Sequence, residues 1–143
     1  MEMMILSKSE MINALQKAGY RMTRQRQTIV EILSKRSDHP SIRTIFTEVN
    51  GVLPEISLAT VYNTINALVN LGVIREIEFD QSENRFDTNL SPHINLVCKM
   101  CGNIEDYLIE LPIKPQKIQK EIGFETSDYH LEYRGICQSC RIE

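Results

Sequence analysis

The first half of the chain carries four segments in which apolar residues recur at the spacing of one helix face. Hydroxyl side chains stand ahead of the last three segments, at Thr23, Ser41 and Ser57, where each can cap a helix. The recurring apolar residues are Met11, Ile12, Leu15 and Ala18 in the first segment and Ile45, Phe46 and Val49 in the third. The expected buried stripe of the second segment is Ile29, Val30, Ile32 and Leu33, and the residues expected to face inward in the fourth are Leu58, Val61, Ile65 and Leu68. The pattern therefore predicts four amphipathic helices.

A hairpin pattern follows the fourth segment. Residues 73–79 and 85–87 have the composition of strands, and a polar turn at 80–84 separates them. Short helices followed by such a hairpin are typical of a winged helix-turn-helix. We therefore predict a winged-helix domain over residues 1–87.

The second half of the chain mixes strands with one helix. Residues 94–97, 104–109 and 124–133 are predicted strands, and Leu111 and Pro112 are expected to open a helix that continues to Ile122. Residues 88–92 form the predicted hinge. The expected fold class is α+β, with the winged-helix domain followed by a small α/β domain over residues 93–143.

Four cysteines form two Cys-x-x-Cys pairs, Cys98 with Cys101 and Cys137 with Cys140. Two such pairs supply the thiolates of a closed tetrahedral zinc site, and Gly102 allows the first turn to close tightly. Two disulfides or a redox pair are the alternatives. The chain opens without the features of a signal peptide, so we expect a cytoplasmic protein whose thiols stay reduced. We therefore predict a structural Zn²⁺ with no open position for catalysis.

The strand that leads to the first cysteine pair has two chemically different faces. Alternation places His93 and Asn95 on one face and Cys98 on the other. Two metal environments can therefore lie close together without sharing ligands.

Charge and hydropathy limit the class of protein. The net charge is −3, which argues against wholesale binding of nucleic acid, and no apolar run approaches the roughly 20 residues that a membrane helix needs. A local basic excess does occur, and only Glu31 opposes it. Its members are Lys17, Arg21, Arg24, Arg26, Lys35 and Arg36. A solvated helix face is the usual explanation of such a run, and contact with nucleic acid is the other.

The fourth predicted helix has an unusual outer face, because residues 56–74 include no charged side chain. The outward residues are expected to be Ala59, Thr60, Asn63, Ala67 and Asn70. Small, uncharged polar groups can approach a duplex closely, and Asn can pair with adenine in the major groove. Burial against another helix explains the face equally well, but the hairpin that follows favours the DNA-reading interpretation.

Several motifs together resemble the ferric uptake regulator family, most closely its peroxide-sensing branch, over essentially the whole chain. They are Thr23-Arg24-Gln25-Arg26, Asp38-His39-Pro40, Ala59-Thr60-Val61-Tyr62-Asn63, Arg85-Phe86-Asp87, His93 ahead of the first cysteine pair, and Gly135-Ile136-Cys137. The resemblance implies a homodimer joined through its C-terminal domains, in which each winged helix reads half of a palindromic operator. The implied DNA contacts are Thr60, Tyr62 and Asn63 on the fourth helix, with Arg26 on phosphate.

The resemblance also implies a regulatory metal held between the two domains. Its ligands fall on His39, Asp87, His93 and Asp106, and Asn95 occupies the position of a further histidine ligand. One ion bound to both domains would fix the spacing of the reading helices, so the metal would act as a corepressor. Imidazole and carboxylate ligands suit Fe²⁺ or Mn²⁺. The implied sensor chemistry is oxidation of a ligating histidine when Fe²⁺ reacts with peroxide.

Other interpretations remain open at this point. Within the family, the chain can be an iron- or other metal-uptake regulator that does not sense peroxide. Outside it, a zinc-stabilised adaptor or a metalloenzyme using His93 and Asp106 are the rivals. An enzyme would need a plain general acid or base, which the sequence does not show. A further metal site of some relatives falls on Tyr129, beside His130, and is not expected here.

Overall fold

The computed structural model of the protein describes residues 4–79 and 83–142, which divide between Leu90 and Ser91 into an N-terminal and a C-terminal compact unit. Residues 80–82 of the predicted turn lie outside the described residues. None of the helices in the described ranges is long and apolar enough to cross a membrane.

Four helices build the N-terminal unit. They are α1 (Lys8–Lys17), α2 (Arg24–Ser34), α3 (Ile42–Val52) and α4 (Leu58–Asn70). Thr23, Ser41 and Ser57 cap α2, α3 and α4, and each side-chain oxygen accepts the backbone N–H three residues further on. The predicted caps are confirmed, because these contacts satisfy donors that a helix N-terminus otherwise leaves without partners.

Helix α4 lies at the centre of the N-terminal unit, in contact with α1, α2 and α3. Val61, Ile65 and Leu68 are buried as predicted. Two predictions about this helix are wrong: Leu58 is 49% exposed, and Ala67 is buried. Leu58 is the first residue of the helix and precedes its packed turns, whereas three neighbouring helices bury a wider arc of α4 than one apolar stripe indicates.

The wing is an antiparallel hairpin of β1 (Arg75–Ile77) and β2 (Arg85–Asp87). The other edge of β2 pairs with the chain just ahead of α3. The Phe86 N–H donates to the Pro40 carbonyl at 2.9 Å, and Ser41 bridges to Arg85. The wing and the His39 loop are therefore parts of one hydrogen-bonded layer.

A short N-terminal segment pairs with the last residues of the same unit. Ile5 bridges to Asn89, and the Leu90 N–H donates to the Met4 carbonyl at 2.7 Å. The Met4 N–H donates in turn to Asn89 Oδ1 at 3.2 Å. The segment that precedes α1 is thereby hydrogen-bonded to the residues that follow β2.

The C-terminal unit is a three-stranded sheet with two helices. Its elements are β3 (His93–Cys98), β4 (Ile104–Leu108), α5 (Pro115–Ile122), β5 (Glu132–Gly135) and α6 (Gln138–Arg141), and the strand order is β4-β3-β5. Strand β3 pairs antiparallel with β4 and parallel with β5. The central strand β3 therefore carries His93, Asn95 and Cys98.

Two elements of this unit are shorter than predicted. The helix begins at Pro115, not near Leu111, because Pro115 holds the first helical position and Lys114 before it is extended. The strand predicted at 124–133 is replaced by β5 at 132–135, so only residues 132 and 133 of the predicted region belong to it. Strand β5 pairs with the end of the six-residue strand β3. Pairing, which sequence alternation does not reveal, decides this boundary.

Candidate metal centres and nucleic-acid interface

The four cysteines converge within the C-terminal unit. Their Sγ atoms all lie within 4.8 Å of one another, and none of the four forms a disulfide. The distance from Cys101 Sγ to Cys137 Sγ is 3.8 Å. A tetrahedral zinc ion with Zn–S bonds of about 2.3 Å has sulfur atoms about 3.8 Å apart, whereas a disulfide is about 2.05 Å long. The cluster therefore fits a structural zinc site.

Local backbone geometry brings the cysteines together. Cys98 ends β3, Gly102 closes the following turn with φ +77°, and Cys137 immediately precedes α6, which carries Cys140. A residue with a Cβ rarely adopts the φ of Gly102, so the predicted role of this glycine is confirmed.

The thiols of the cluster differ in acidity. Hydrogen bonds from backbone N–H groups, first that of Cys101 and then that of Cys137, lower the pKa of Cys98 to about 6. The Cys137 N–H lies 3.3 Å from Cys98 Sγ. Side-chain hydrogen bonding, first to Cys137, raises the pKa of Cys140 to about 12. The surroundings therefore stabilise a thiolate at Cys98 and destabilise one at Cys140. A bound divalent cation would stabilise the thiolate at Cys140 as well.

A histidine and a carboxylate meet inside the N-terminal unit. His39 Nε2 lies 3.7 Å from Asp87 Oδ2, and both side chains are buried. The other carboxylate oxygen, Oδ1, accepts the Asn89 N–H at 2.9 Å. Arg85 Nη1 donates to the His39 carbonyl at 3.0 Å and holds the histidine backbone against β2. This histidine and carboxylate are therefore oriented by contacts within their own unit.

A second histidine and carboxylate meet inside the C-terminal unit. His93 Nε2 lies 3.7 Å from Asp106 Oδ1, and the two side chains are only 1% and 3% exposed. His93 Nδ1 lies 2.6 Å from the Ser91 carbonyl, which can only accept a hydrogen bond. Nδ1 therefore carries a proton, so in the neutral ring the lone pair lies on Nε2, the atom that faces Asp106.

The spacing within both pairs suits metal ligation. The 3.7 Å separations exceed a normal hydrogen bond. Two donor atoms that each lie about 2.1 Å from a shared ion are themselves roughly 3 to 4 Å apart. The imidazole and the carboxylate of each pair are thus arranged as a partial metal site.

Asn95 stands beside the second pair. It follows His93 by two residues on the same face of β3 and lies directly opposite Asp106 in the strand register. The residue is 5% exposed. Within the part of the chain that the structure describes, Asn95 Oδ1 is the buried side-chain oxygen that has no hydrogen-bond partner.

The predicted DNA-contacting residues lie on the N-terminal unit. Tyr62 is 49% exposed, and Asn63 is exposed beside it on α4. The Thr60 hydroxyl lies 2.9 Å from the Ser57 hydroxyl. Arg26 Nη1 donates to the Arg21 carbonyl at 2.5 Å, and its guanidinium lies 5.4 Å from the Tyr20 ring centre. Tyr62 and Asn63 thus face solvent, whereas Thr60 and Arg26 also make contacts within the unit.

Comparison with known proteins decides the class of this chain. The model of the ferric uptake regulator family matches residues 17–134. The chain belongs to the ferric uptake regulator family.

Relatives within this family include the peroxide-responsive repressor PerR of Staphylococcus epidermidis, which is 33% identical over 135 residues, covering 94% of this chain and 90% of that repressor. The solved structure of the Campylobacter jejuni peroxide stress regulator is 30% identical, with a TM-score of 0.68 and coverage of 93% and 95% of the two chains. The ferric uptake regulator Fur of Helicobacter pylori has a TM-score of 0.75 at 18% identity, covers 100% and 99%, and shows the fold alone.

Membership of the ferric uptake regulator family confirms the predicted fold class, a winged-helix DNA-binding domain followed by a dimerisation domain. The members are metal-binding, DNA-binding transcription regulators that act as dimers, and they are not enzymes. The adaptor and metalloenzyme interpretations are therefore excluded. The assignment of individual DNA contacts and regulatory ligands stays a prediction.

Three residues near the candidate sites were missed by sequence reasoning. Arg85 donates from its side chain to the His39 carbonyl, and the Asn89 N–H donates to the Asp87 carboxylate. The Ser91 carbonyl contacts the His93 ring. The motif Arg85-Phe86-Asp87 drew attention to the first of these without indicating its contact. A backbone carbonyl or N–H leaves no signal in the sequence, so Asn89 and Ser91 could be found only from the fold.

Proposed function

We propose that the protein is a metal-dependent, DNA-binding transcriptional repressor of the cytoplasm, and that it senses peroxide by oxidation of a histidine in its regulatory metal site. The observation that carries this proposal is the presence of one buried histidine–carboxylate pair in each unit, each with its donor atoms 3.7 Å apart.

The proposed regulatory site combines the two pairs. One Fe²⁺ or Mn²⁺ ion takes ligands from His39 and Asp87 of the N-terminal unit and from His93 and Asp106 of the C-terminal unit. The support is the chemistry of each pair taken by itself, since a mixed set of imidazoles and carboxylates suits these ions. An ion that binds both units favours one arrangement of the reading helices over others. DNA affinity then rises with metal occupancy by linkage.

The proposed DNA complex is a homodimer on a palindromic operator, because a two-fold dimer presents two identical reading helices. In the C-terminal unit, large apolar side chains such as Tyr107, Phe124 and Tyr133 are exposed, which supports association through that unit. On the N-terminal unit, Tyr62 and Asn63 are proposed to contact the major groove. Thr60 and Arg26 are proposed to support them at the operator backbone.

The proposed peroxide response is a balanced oxygen transfer. A bound Fe²⁺ would activate the peroxide, and the histidine ring itself would be the group oxidised. In the net change, one oxygen atom of hydrogen peroxide adds to a ring carbon of His39 or His93, and the other oxygen leaves as water. The oxidised ring is a poorer ligand, so the site loses its ion and the protein releases DNA.

The test is a mobility-shift titration on an operator selected from random duplexes by the Mn²⁺-loaded protein. Wild-type protein should bind with Fe²⁺ or Mn²⁺ and should be released by peroxide only when it carries Fe²⁺. His93→Ala should raise the metal concentration needed for binding. His130→Ala is the matched control, because His130 is exposed and contacts Glu132, so its metal requirement should equal that of wild type.

Mass spectrometry of the same samples locates the oxidation. Peptides with His39 or His93 should gain one oxygen atom after Fe²⁺ and peroxide, and the peptide with His130 should not. Metal-dependent binding that survives peroxide without histidine oxidation would identify a metal-uptake regulator. DNA binding that ignores both metal and the His93→Ala change would refute the regulatory site altogether.

A further inference from the structure

The side-chain oxygen of Asn95 is buried without a hydrogen-bond partner in the part of the chain that the structure describes. Leaving a buried carbonyl oxygen without a hydrogen bond destabilises the folded state, because the oxygen gives up its bonds to water. Asn95 Oδ1 nevertheless stays buried and without a hydrogen-bond partner among residues 4–79 and 83–142. A leucine of similar size would avoid this cost, so the position of an amide here calls for a bound group that the oxygen can contact.

The neighbours of Asn95 indicate what that group is. Asn95 shares its face of β3 with His93 and lies opposite Asp106. His93 Nε2 lies 3.7 Å from Asp106 Oδ1. Because His93 Nδ1 contacts the Ser91 carbonyl, the lone pair of the neutral ring lies on Nε2. An imidazole nitrogen, a carboxylate oxygen and an amide oxygen thus come from adjacent positions of one sheet face. All three are metal donors.

We propose that Asn95 Oδ1 is a ligand of the regulatory ion and that it makes the site prefer Mn²⁺ and Fe²⁺ over Zn²⁺. This inference rests on the proposed regulatory site. With Asn95, the five donors are three oxygens and two imidazole nitrogens. Carbonyl and carboxylate oxygens suit Mn²⁺, whereas imidazole strengthens the binding of Zn²⁺, Ni²⁺ and Cu²⁺. An amide in place of a third imidazole therefore weakens Zn²⁺ binding more than Mn²⁺ binding.

The preference has a consequence for a protein that also holds structural zinc. The thiolate cluster suits Zn²⁺, and the regulatory site, with Asn95, disfavours it. A rise in available zinc would then fill the cysteine site without replacing the regulatory ion at the site that contains Asn95. The two sites read different metals because their ligands differ in kind.

The experiment measures metal binding to the full chain carrying its structural zinc. Free Mn²⁺ is followed by electron paramagnetic resonance, and Zn²⁺ affinity is measured by competition with a chromophoric chelator. Asn95→Leu should lower Mn²⁺ affinity at least about tenfold, the lower end of the loss seen when groups that support metal sites are removed. Asn95→Asp should raise it. Asn95→His should raise Zn²⁺ affinity more than Mn²⁺ affinity.

Controls separate the outcomes. Leu96→Ala lies on the opposite face of β3 and should leave Mn²⁺ affinity unchanged, and zinc content checks the fold of each variant. If Asn95→Leu does not fold, Asn95→Asp still tests the ligand. Wild-type Mn²⁺ affinity in Asn95→Leu, or no gain in Asn95→Asp, would overturn the ligand assignment. An equal gain for Zn²⁺ and Mn²⁺ in Asn95→His would overturn the selectivity.

A further variant keeps this inference separate from the proposed function. His93→Ala should lose Mn²⁺ affinity whether or not Asn95 is a ligand. If His93→Ala loses affinity while Asn95→Leu keeps it, the regulatory site stands and only the role of Asn95 fails. If neither variant changes Mn²⁺ binding, the proposed regulatory site itself fails.

Discussion

Replacing Arg26 by alanine separates two roles that its guanidinium can play. Within the protein, the side chain donates to the Arg21 carbonyl at 2.5 Å and lies 5.4 Å from the Tyr20 ring centre. On an exposed surface, the hydrogen bond contributes about 1 kcal/mol and the cation–π contact about 0.5–1 kcal/mol. Arg26→Ala should therefore lower the free energy of unfolding by about 1–2 kcal/mol.

The proposed phosphate contact predicts an additional effect on DNA binding. Each lost contact reduces the salt slope of the logarithm of the binding constant by about 0.9, so the two copies in a dimer reduce it by about 1.8. Between 50 and 200 mM salt, wild type should then lose roughly twelvefold more affinity than Arg26→Ala. Arg26→Lys, which keeps the charge, should retain most of the slope.

The assay is fluorescence anisotropy of labelled operator across a salt series at saturating Mn²⁺, with chemical denaturation of the same proteins. Both specific and random duplexes should lose affinity, because a phosphate contact carries no sequence information. An unchanged salt slope in Arg26→Ala, together with the expected loss of stability, would refute the phosphate contact. Arg26 would then only join the start of α2 to the loop before it.

Four other substitutions test other parts of the molecule. Wild type should purify with about one tightly held zinc per chain, whereas Cys137→Ser should lose both zinc and dimer; a metal-free dimer with two mapped disulfides would contradict the zinc site. Asn63→Ala should mainly relax base preference, and Tyr62→Phe should weaken operator binding if the tyrosine hydroxyl contacts phosphate. If both variants bind the operator as tightly as wild type at matched salt, this face of α4 is not part of the interface. The hydrogen bond from Lys35 holds the pKa of Glu31 below its ordinary 4.5. Glu31→Gln should therefore slightly lower the melting temperature at pH 7, and the difference between the two proteins should vanish as the pH falls through that lowered pKa. A difference that persists at pH 2 would show a cause other than charge.

Features set by neighbouring residues could be predicted from the sequence. Thr23, Ser41 and Ser57 cap their helices because a cap needs only a side-chain oxygen and the next turn of backbone. The alternation of His93, Asn95 and Cys98 along β3 is equally local and is found as predicted. The cysteine spacing indicated a closed four-sulfur cluster for the same reason, since each pair lies within one turn.

Features set by distant partners could not be predicted. The burial of Ala67 depends on which helices surround α4, and the short β5 depends on how far β3 extends. The same limit applies to the candidate regulatory residues. Their types and approximate positions followed from motifs, but the tautomer of His93 depends on the Ser91 carbonyl, and the partnerless Asn95 oxygen appears only once the strands are paired.

The pairing of the N-terminal segment with Asn89 and Leu90 makes Asp87 sensitive to local opening of the chain. Asn89 donates its N–H to the Asp87 carboxylate and accepts the N–H of Met4 through its side chain. Detachment of this short segment would break the contacts of Met4 with Asn89 and Leu90, next to the residue that donates to Asp87, without unfolding the helices. The Leu90 N–H, which bonds to the Met4 carbonyl, would exchange with deuterium in the same event. Its exchange rate therefore reports how often the segment beside Asn89 and Asp87 opens.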